Sequence, residues 1–239
     1  QVETGPVRLH WQTRLSVHEG SAFPPAPAPL LLAPRTAAVE LELTFHPSGP
    51  AIDFCRQLTP ARREALRSVG DHHVEQSGRF VGRVKVLGRE IQVDAEGSRD
   101  HSWGPRDWAA LDYSRLFVAR FGDDLALQAL TLAVRGEVVD GGFLWRGGRA
   151  ERVARILYSV EREQGAPRSF EVEVRTAGGE GFLMRGLVER TLVLPVQVEK
   201  RPWRHLVGRP YSLLLQENFV RWEAGTRSGR GVAEFSVRP

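Results

Sequence analysis

Hydrophobic and polar residues alternate with a period of two near the start of the chain. In V-R-L-H-W-Q-T-R-L-S-V-H, Val7, Leu9, Trp11, Leu15 and Val17 fall on one face of an extended segment, with Arg8, His10, Gln12, Arg14, Ser16 and His18 on the other. That pattern predicts a half-buried strand. The alternation returns from Val39 to His46, with glutamates outward, and again in F-E-V-E-V-R from Phe170. Between the first two strands, S-A-F-P-P-A-P-A-P-L-L-L-A-P carries five prolines, which cannot donate to a sheet ladder, so it reads as a covering loop or linker.

One segment reads as helix. T-P-A-R-R-E-A-L-R-S-V-G offers Thr59 as N-cap, Pro60 at the first helical position and Gly70 as a stop, with Ala61, Leu66 and Val69 as a narrow apolar stripe. After Asp71 the chain reads as short strands separated by turn signals: L-G-R-E near Leu87, F-G-D-D near Phe121, V-D-G-G near Val139, W-R-G-G near Trp145 and A-G-G-E near Ala177. Strand-like runs lie at Phe80–Val86, Leu116–Phe121, Leu125–Val134, Val153–Glu161, Gly181–Leu194, Tyr211–Trp222 and Gly231–Val237. Short strands without alternating helices argue for an all-β fold, an antiparallel barrel or sandwich. The pleat should place Phe80, Val84 and Val86 on the face opposite Arg83 and Lys85.

Composition narrows the classes. The chain has 239 residues, 41% hydrophobic and 26% charged, which is globular material for one large β-domain or two smaller ones. Its 33 basic and 29 acidic residues are interspersed, and the runs at Arg62-Arg63 and Lys200 to Arg204 lack aromatic interleaving, so no nucleic-acid partner is expected. A single cysteine, Cys55, excludes an internal disulfide and fits a reducing, cytoplasmic setting. No apolar run has the length of a membrane span. The chain begins at Gln1 with neither a methionine nor a signal-peptide pattern, which admits a further segment upstream.

The densest chemistry lies in S-R-D-H-S-W-G-P-R-D-W, Ser98 to Trp108. Together with H-V-E-Q-S-G-R-F-V-G-R-V (His73–Val84), F-G-D-D-L-A-L-Q-A-L (Phe121–Leu130) and S-G-R-G-V-A-E-F (Ser228–Phe235), it resembles a bacterial group of tandem-lipocalin proteins. That group is similar to hydroxyneurosporene synthase, also called carotenoid 1,2-hydratase, and to AttH-like proteins. The resemblance spans about His72 to Arg238. It implies two packed lipocalin-like antiparallel barrels, an apolar cavity and no metal or organic cofactor. Residues 1–70, with the Pro-rich loop, would form a partial amino-terminal domain, supplying about half the strands a barrel needs, and 71–239 the carboxy-terminal one.

Relatives of known activity hydrate an isolated double bond or guide a cycloaddition, so the resemblance implies acid catalysis on a hydrophobic isoprenoid or polyketide-like substrate of secondary metabolism. The enzyme would be a hydro-lyase or a cyclase/isomerase working without a cofactor. A buried carboxyl group can stay protonated and donate. Asp100 is the first candidate, with His101 to relay the proton, Asp107 and Glu75 as reserve acids, and Trp103 and Trp108 to lie over a developing cation. His73, Arg106 and Tyr113 complete the candidate substrate contacts. Arg99 and Arg106 open another reading, in which the two R-D pairs fasten a structural corner. His72 and His73, being adjacent, would point to opposite faces of a strand, and no metal is expected there. The alternative function is non-catalytic binding of an apolar metabolite. Which holds turns on whether Asp100 faces an apolar cavity.

Overall fold

The computed structural model describes residues 5–16, 35–105, 107–196 and 213–237. The Pro-rich loop, Arg106 and the basic run from Lys200 to Arg204 lie outside the described residues. The chain divides into two compact units, Gln1–Ile52 with Val74–Asp100, and Asp53–His73 with His101–Pro239. The division therefore does not fall at residue 70: segment 74–100 goes with the first unit because it extends that unit's sheet.

The sheet of the first unit takes its strands from β1 (Val7–Ser16), β2 (Thr36–Pro47), the two-residue β3 (Ile52–Asp53), β4 (His72–Val86) and β5 (Arg89–Trp103), of which Asp53, His72, His73 and residues 101–103 belong to the second unit. They form one sheet in the order β1-β2-β4-β3, with β5 also on β4. Leu87 and Gly88 make the β4–β5 turn with φ of 52° and 73°, the left-handed pair that a two-residue hairpin requires. Register places Phe80, Val84 and Val86 opposite Phe45, Leu41 and Val39, and Arg83 and Lys85 opposite Glu42 and Glu40. The alternation is therefore as the sequence predicts, and the outward row is laced by Arg83–Glu42 at 2.7 Å and Lys85–Glu40 at 3.9 Å. The expected burial of β1 is not met: Leu9, Trp11 and Leu15 are exposed, Trp11 at 49%. Among the described residues the unit has one sheet and no second layer over these three side chains.

The second unit closes on itself. Strands β6 (Leu111–Arg120), β7 (Leu125–Val134), β8 (Glu137–Arg146), β9 (Arg149–Glu163), β10 (Ala166–Thr176), β11 (Gly181–Val196), β12 (Leu213–Ala224) and β13 (Arg227–Val237) run in sequence order. They make an eight-stranded antiparallel barrel in which β13 pairs back to β6. Its interior is packed with rings: Phe117 meets Phe170, Trp222 and Phe235 at centroid separations of 6.2, 6.4 and 5.7 Å. Phe117 and Trp222 are fully buried, and the indole N–H of Trp222 donates to the Val118 carbonyl at 3.0 Å.

V-D-G-G, expected as a turn, lies within β8, and the β7–β8 turn is Arg135-Gly136, with φ of 52° and 85°. The two glycines serve close approach instead. A Cβ on Gly141 would collide with the Phe54 ring, and one on Gly142 with the Gln128 carbonyl.

Outside the barrel wall lies the helical segment. A 3₁₀ turn (Phe54–Gln57) precedes α1 (Pro60–Leu66), whose N-cap Thr59 accepts from the Arg62 N–H at 3.4 Å. Phe54, Cys55, Leu58, Leu66 and Val69 pack on Leu130, Val134 and Val139 of β7 and β8. Ala61, expected in the buried stripe, is exposed, since a seven-residue helix turns only part of itself to the wall. Among the described residues, no helix is long and apolar enough to cross a membrane.

Candidate active site

Asp53 is the hub of a polar cluster in the second unit. It caps the 3₁₀ turn, its Oδ1 accepting the Cys55 N–H at 3.0 Å and the His73 N–H at 3.3 Å. Its Oδ2 lies 2.6 Å from Nδ1 of His72 and 3.4 Å from Nε of Arg56. The carboxylate is 10% exposed and the His72 ring 30%. A carboxylate only accepts, so Nδ1 carries the proton and Nε2 is left as the basic atom of the neutral ring.

The ring is also held flat. His72 stacks on Trp103 with centroids 4.5 Å apart and planes at 18°, and His101 tilts against the same indole at 5.0 Å. The backbone ties these pieces together, since the Asp71 N–H donates to the Trp103 carbonyl at 3.1 Å.

A cleft of ≈ 700 Å³ opens beside this stack, walled by α1 and the ends of β4 and β5. Arg56, Arg63, Glu64, Arg67, Asp71, His72 and Trp103 contribute its polar and aromatic wall. Arg63 donates through Nε to the Cys55 carbonyl at 3.1 Å, and Arg67 lies 3.6 Å from Glu64. Cys55 also lines the cleft, but burial, reinforced by the negative charge of Asp53, pushes its thiol up to about 11. It stays protonated at neutral pH and is a poor nucleophile.

The residues that stand out in the sequence fall into separate groups. In the first unit, Glu75 is buried at 5% and Asp100 is exposed, with carboxylate oxygens within 4.8 Å of one another. Arg99 donates to the Gln76 side chain at 2.8 Å and lies 5.5 Å from the Phe45 ring centroid. In the second unit, His101 and Trp103 are exposed and join the His72 stack. His73 engages the Ser102 hydroxyl at 2.7 Å and sets its ring edge-on to Phe54. Asp107 accepts from the Ala109 N–H at 3.1 Å, capping the 3₁₀ turn Trp108–Ala110, and lies 3.7 Å from Arg135. Trp108 packs half-buried against the Phe54–Leu66 cluster. Tyr113 lies under the Arg115 guanidinium, 5.0 Å away, on the barrel side.

Neither Asp53 nor Arg63 stands out in the sequence as a site residue. A-I-D-F-C carries the cap signal for Asp53, an aspartate two residues before the amide it accepts. Nothing local links it to His72, 19 positions on.

Residues 3–239 match the model of a family described as a domain of unknown function, DUF7064. The chain belongs to this DUF7064 family. No curated protein matches it. Among solved structures, this DUF7064 chain is similar to a protein of Nitrosomonas europaea assigned provisionally as AttH, at 15% identity and a TM-score of 0.50. The likeness covers 84% of this chain and 62% of that one, so the chain spans less than two thirds of the AttH protein's length. At that identity the likeness speaks for an AttH-like, lipocalin-like fold alone.

Proposed function

We propose that this DUF7064 chain is an acid–base enzyme that needs no cofactor, and that His72, oriented by Asp53, moves the proton. The 2.6 Å contact between His72 Nδ1 and Asp53 Oδ2 at the wall of the cleft carries this reading. Asp53 holds the tautomer in which Nε2 is basic and would stabilise the imidazolium formed when Nε2 accepts a proton. Trp103 fixes the plane of the ring, so Nε2 approaches a bound molecule from one direction.

The chemistry of the donor selects the substrate. An imidazolium is far too weak an acid to protonate an isolated alkene, but it matches a C–H or C=C activated by conjugation to a carbonyl. Hydration, cyclisation or isomerisation of a conjugated, polyketide-like molecule is therefore the reaction class we favour, with hydration of an unactivated isoprenoid set aside. Asp100 is exposed and does not line the cleft, so we assign the proton transfer to His72 and not to Asp100.

Mass spectrometry of the native protein identifies a small molecule retained through purification, and proton NMR in D₂O follows its turnover. His72→Gln should retain the molecule and lower the rate by ~10²- to 10⁴-fold, the usual share of a general acid–base group. A rate unchanged in His72→Gln would take the proton transfer away from His72, and a retained molecule that the parent protein does not turn over would leave non-catalytic binding as the function.

A further inference from the structure

Charge in the cleft is distributed unevenly. Arg56 is matched by Asp53 at 3.4 Å and Arg67 by Glu64 at 3.6 Å. Arg63 differs from both: its Nε is spent on the Cys55 carbonyl, and among the described residues no carboxylate lies within ion-pair distance of it. The Nε bond orients the guanidinium plane and leaves its two terminal nitrogens for a ligand. A planar fork anchored in this way suits the two parallel hydrogen bonds of a carboxylate. Trp103, which lines the same cleft, is 39% exposed and offers an apolar surface there.

From the fork of Arg63 and the exposed ring of Trp103, we infer that the cleft binds flat, carboxylate-bearing molecules, the carboxylate on Arg63 and the flat part along Trp103. The inference rests on the cleft being the working site and adds the class of its ligand. Arg63 would be a binding residue and His72 the proton carrier. The carboxylate would anchor one end of the molecule and leave its conjugated part beside the His72 ring, which stacks on the same indole.

Ligand-observed NMR titration of the full chain with benzoate, benzyl alcohol and inorganic phosphate separates the contributions. Benzoate should bind most tightly, and benzyl alcohol, which keeps the ring and loses the charge, at least about tenfold more weakly. Arg63→Gln should weaken benzoate by about tenfold or more, while Arg62→Gln, on the same helix but outside the cleft, should leave it unchanged. Benzyl alcohol binding as well as benzoate, or an unaffected Arg63→Gln, overturns the inference. Phosphate binding as tightly as benzoate overturns the part assigned to the ring. His72→Gln should bind benzoate within about threefold of the parent protein. The anchor is thus judged by binding and the dyad by turnover, and either can fail without the other.

Discussion

The two units use one alternation and reach opposite degrees of burial. In the barrel every strand has two neighbours, so the inward rows of eight strands face one another and Phe117, Val172, Met184 and Trp222 are fully buried. Among the described residues the first unit's sheet ends at β1, and the same spacing leaves Leu9, Trp11 and Leu15 exposed opposite Leu43, Leu41 and Ala37. Period-two patterning determines which residues share a face. Whether that face is covered depends on closure, a property of strand number and stagger.

Substitutions at equivalent inward positions test this contrast. Phe117→Ala removes a ring that contacts four aromatic neighbours from β9, β10, β12 and β13 and leaves a cavity in a closed interior. It should destabilise the protein by about 3–5 kcal/mol in urea unfolding. Trp11→Ala, a larger truncation on the open sheet, should cost less than about 1 kcal/mol, because half of the ring is already in water. Equal costs at the two positions would show that the open face is covered in solution.

A smaller effect sharpens the barrel side of the comparison. Arg227 clasps Asp124 through two hydrogen bonds of 2.7 and 2.9 Å, joining the turn before β7 to the β12–β13 hairpin. The hydrogen bonds from Arg227 hold the Asp124 carboxyl below its ordinary value of 3.8. A carboxyl depressed on folding stabilises the fold above its unfolded-state value and loses that contribution as pH falls through its folded one. The parent should therefore melt slightly above Asp124→Asn at pH 7, and the gap should shrink with salt and close in acid below the ordinary carboxylate range. A gap that widens in acid would contradict this assignment.

The parts of the fold legible in the sequence were those governed by neighbours in the chain. Thr59-Pro60 announces the start of α1, Leu87-Gly88 the β4–β5 hairpin, and Val39 to His46 the faces of β2. V-D-G-G misled because a glycine pair signals either a bend or a close approach, and only the packing of Phe54 on Gly141 decides between them. The site was legible in halves. Trp103 and His101 stood out by density, whereas Asp53 and Arg63 sit in an ordinary-looking capped segment. Asp53 meets His72 from 19 positions away and Arg63 meets the Cys55 carbonyl from eight, pairings that no pattern between chain neighbours announces. Asp107 shows the reverse case, conspicuous in sequence and used to cap a turn.

The central claim is that Asp53 holds His72 with its proton on Nδ1 and Nε2 free to act. Long-range proton–nitrogen NMR of the imidazole ring reads this directly, without a substrate. The account predicts that neutral His72 is the Nδ1–H tautomer in the parent protein and that Asp53→Asn shifts it toward the Nε2–H form favoured by an unrestrained ring. A parent His72 found as the Nε2–H tautomer, or a tautomer indifferent to Asp53→Asn, would contradict it.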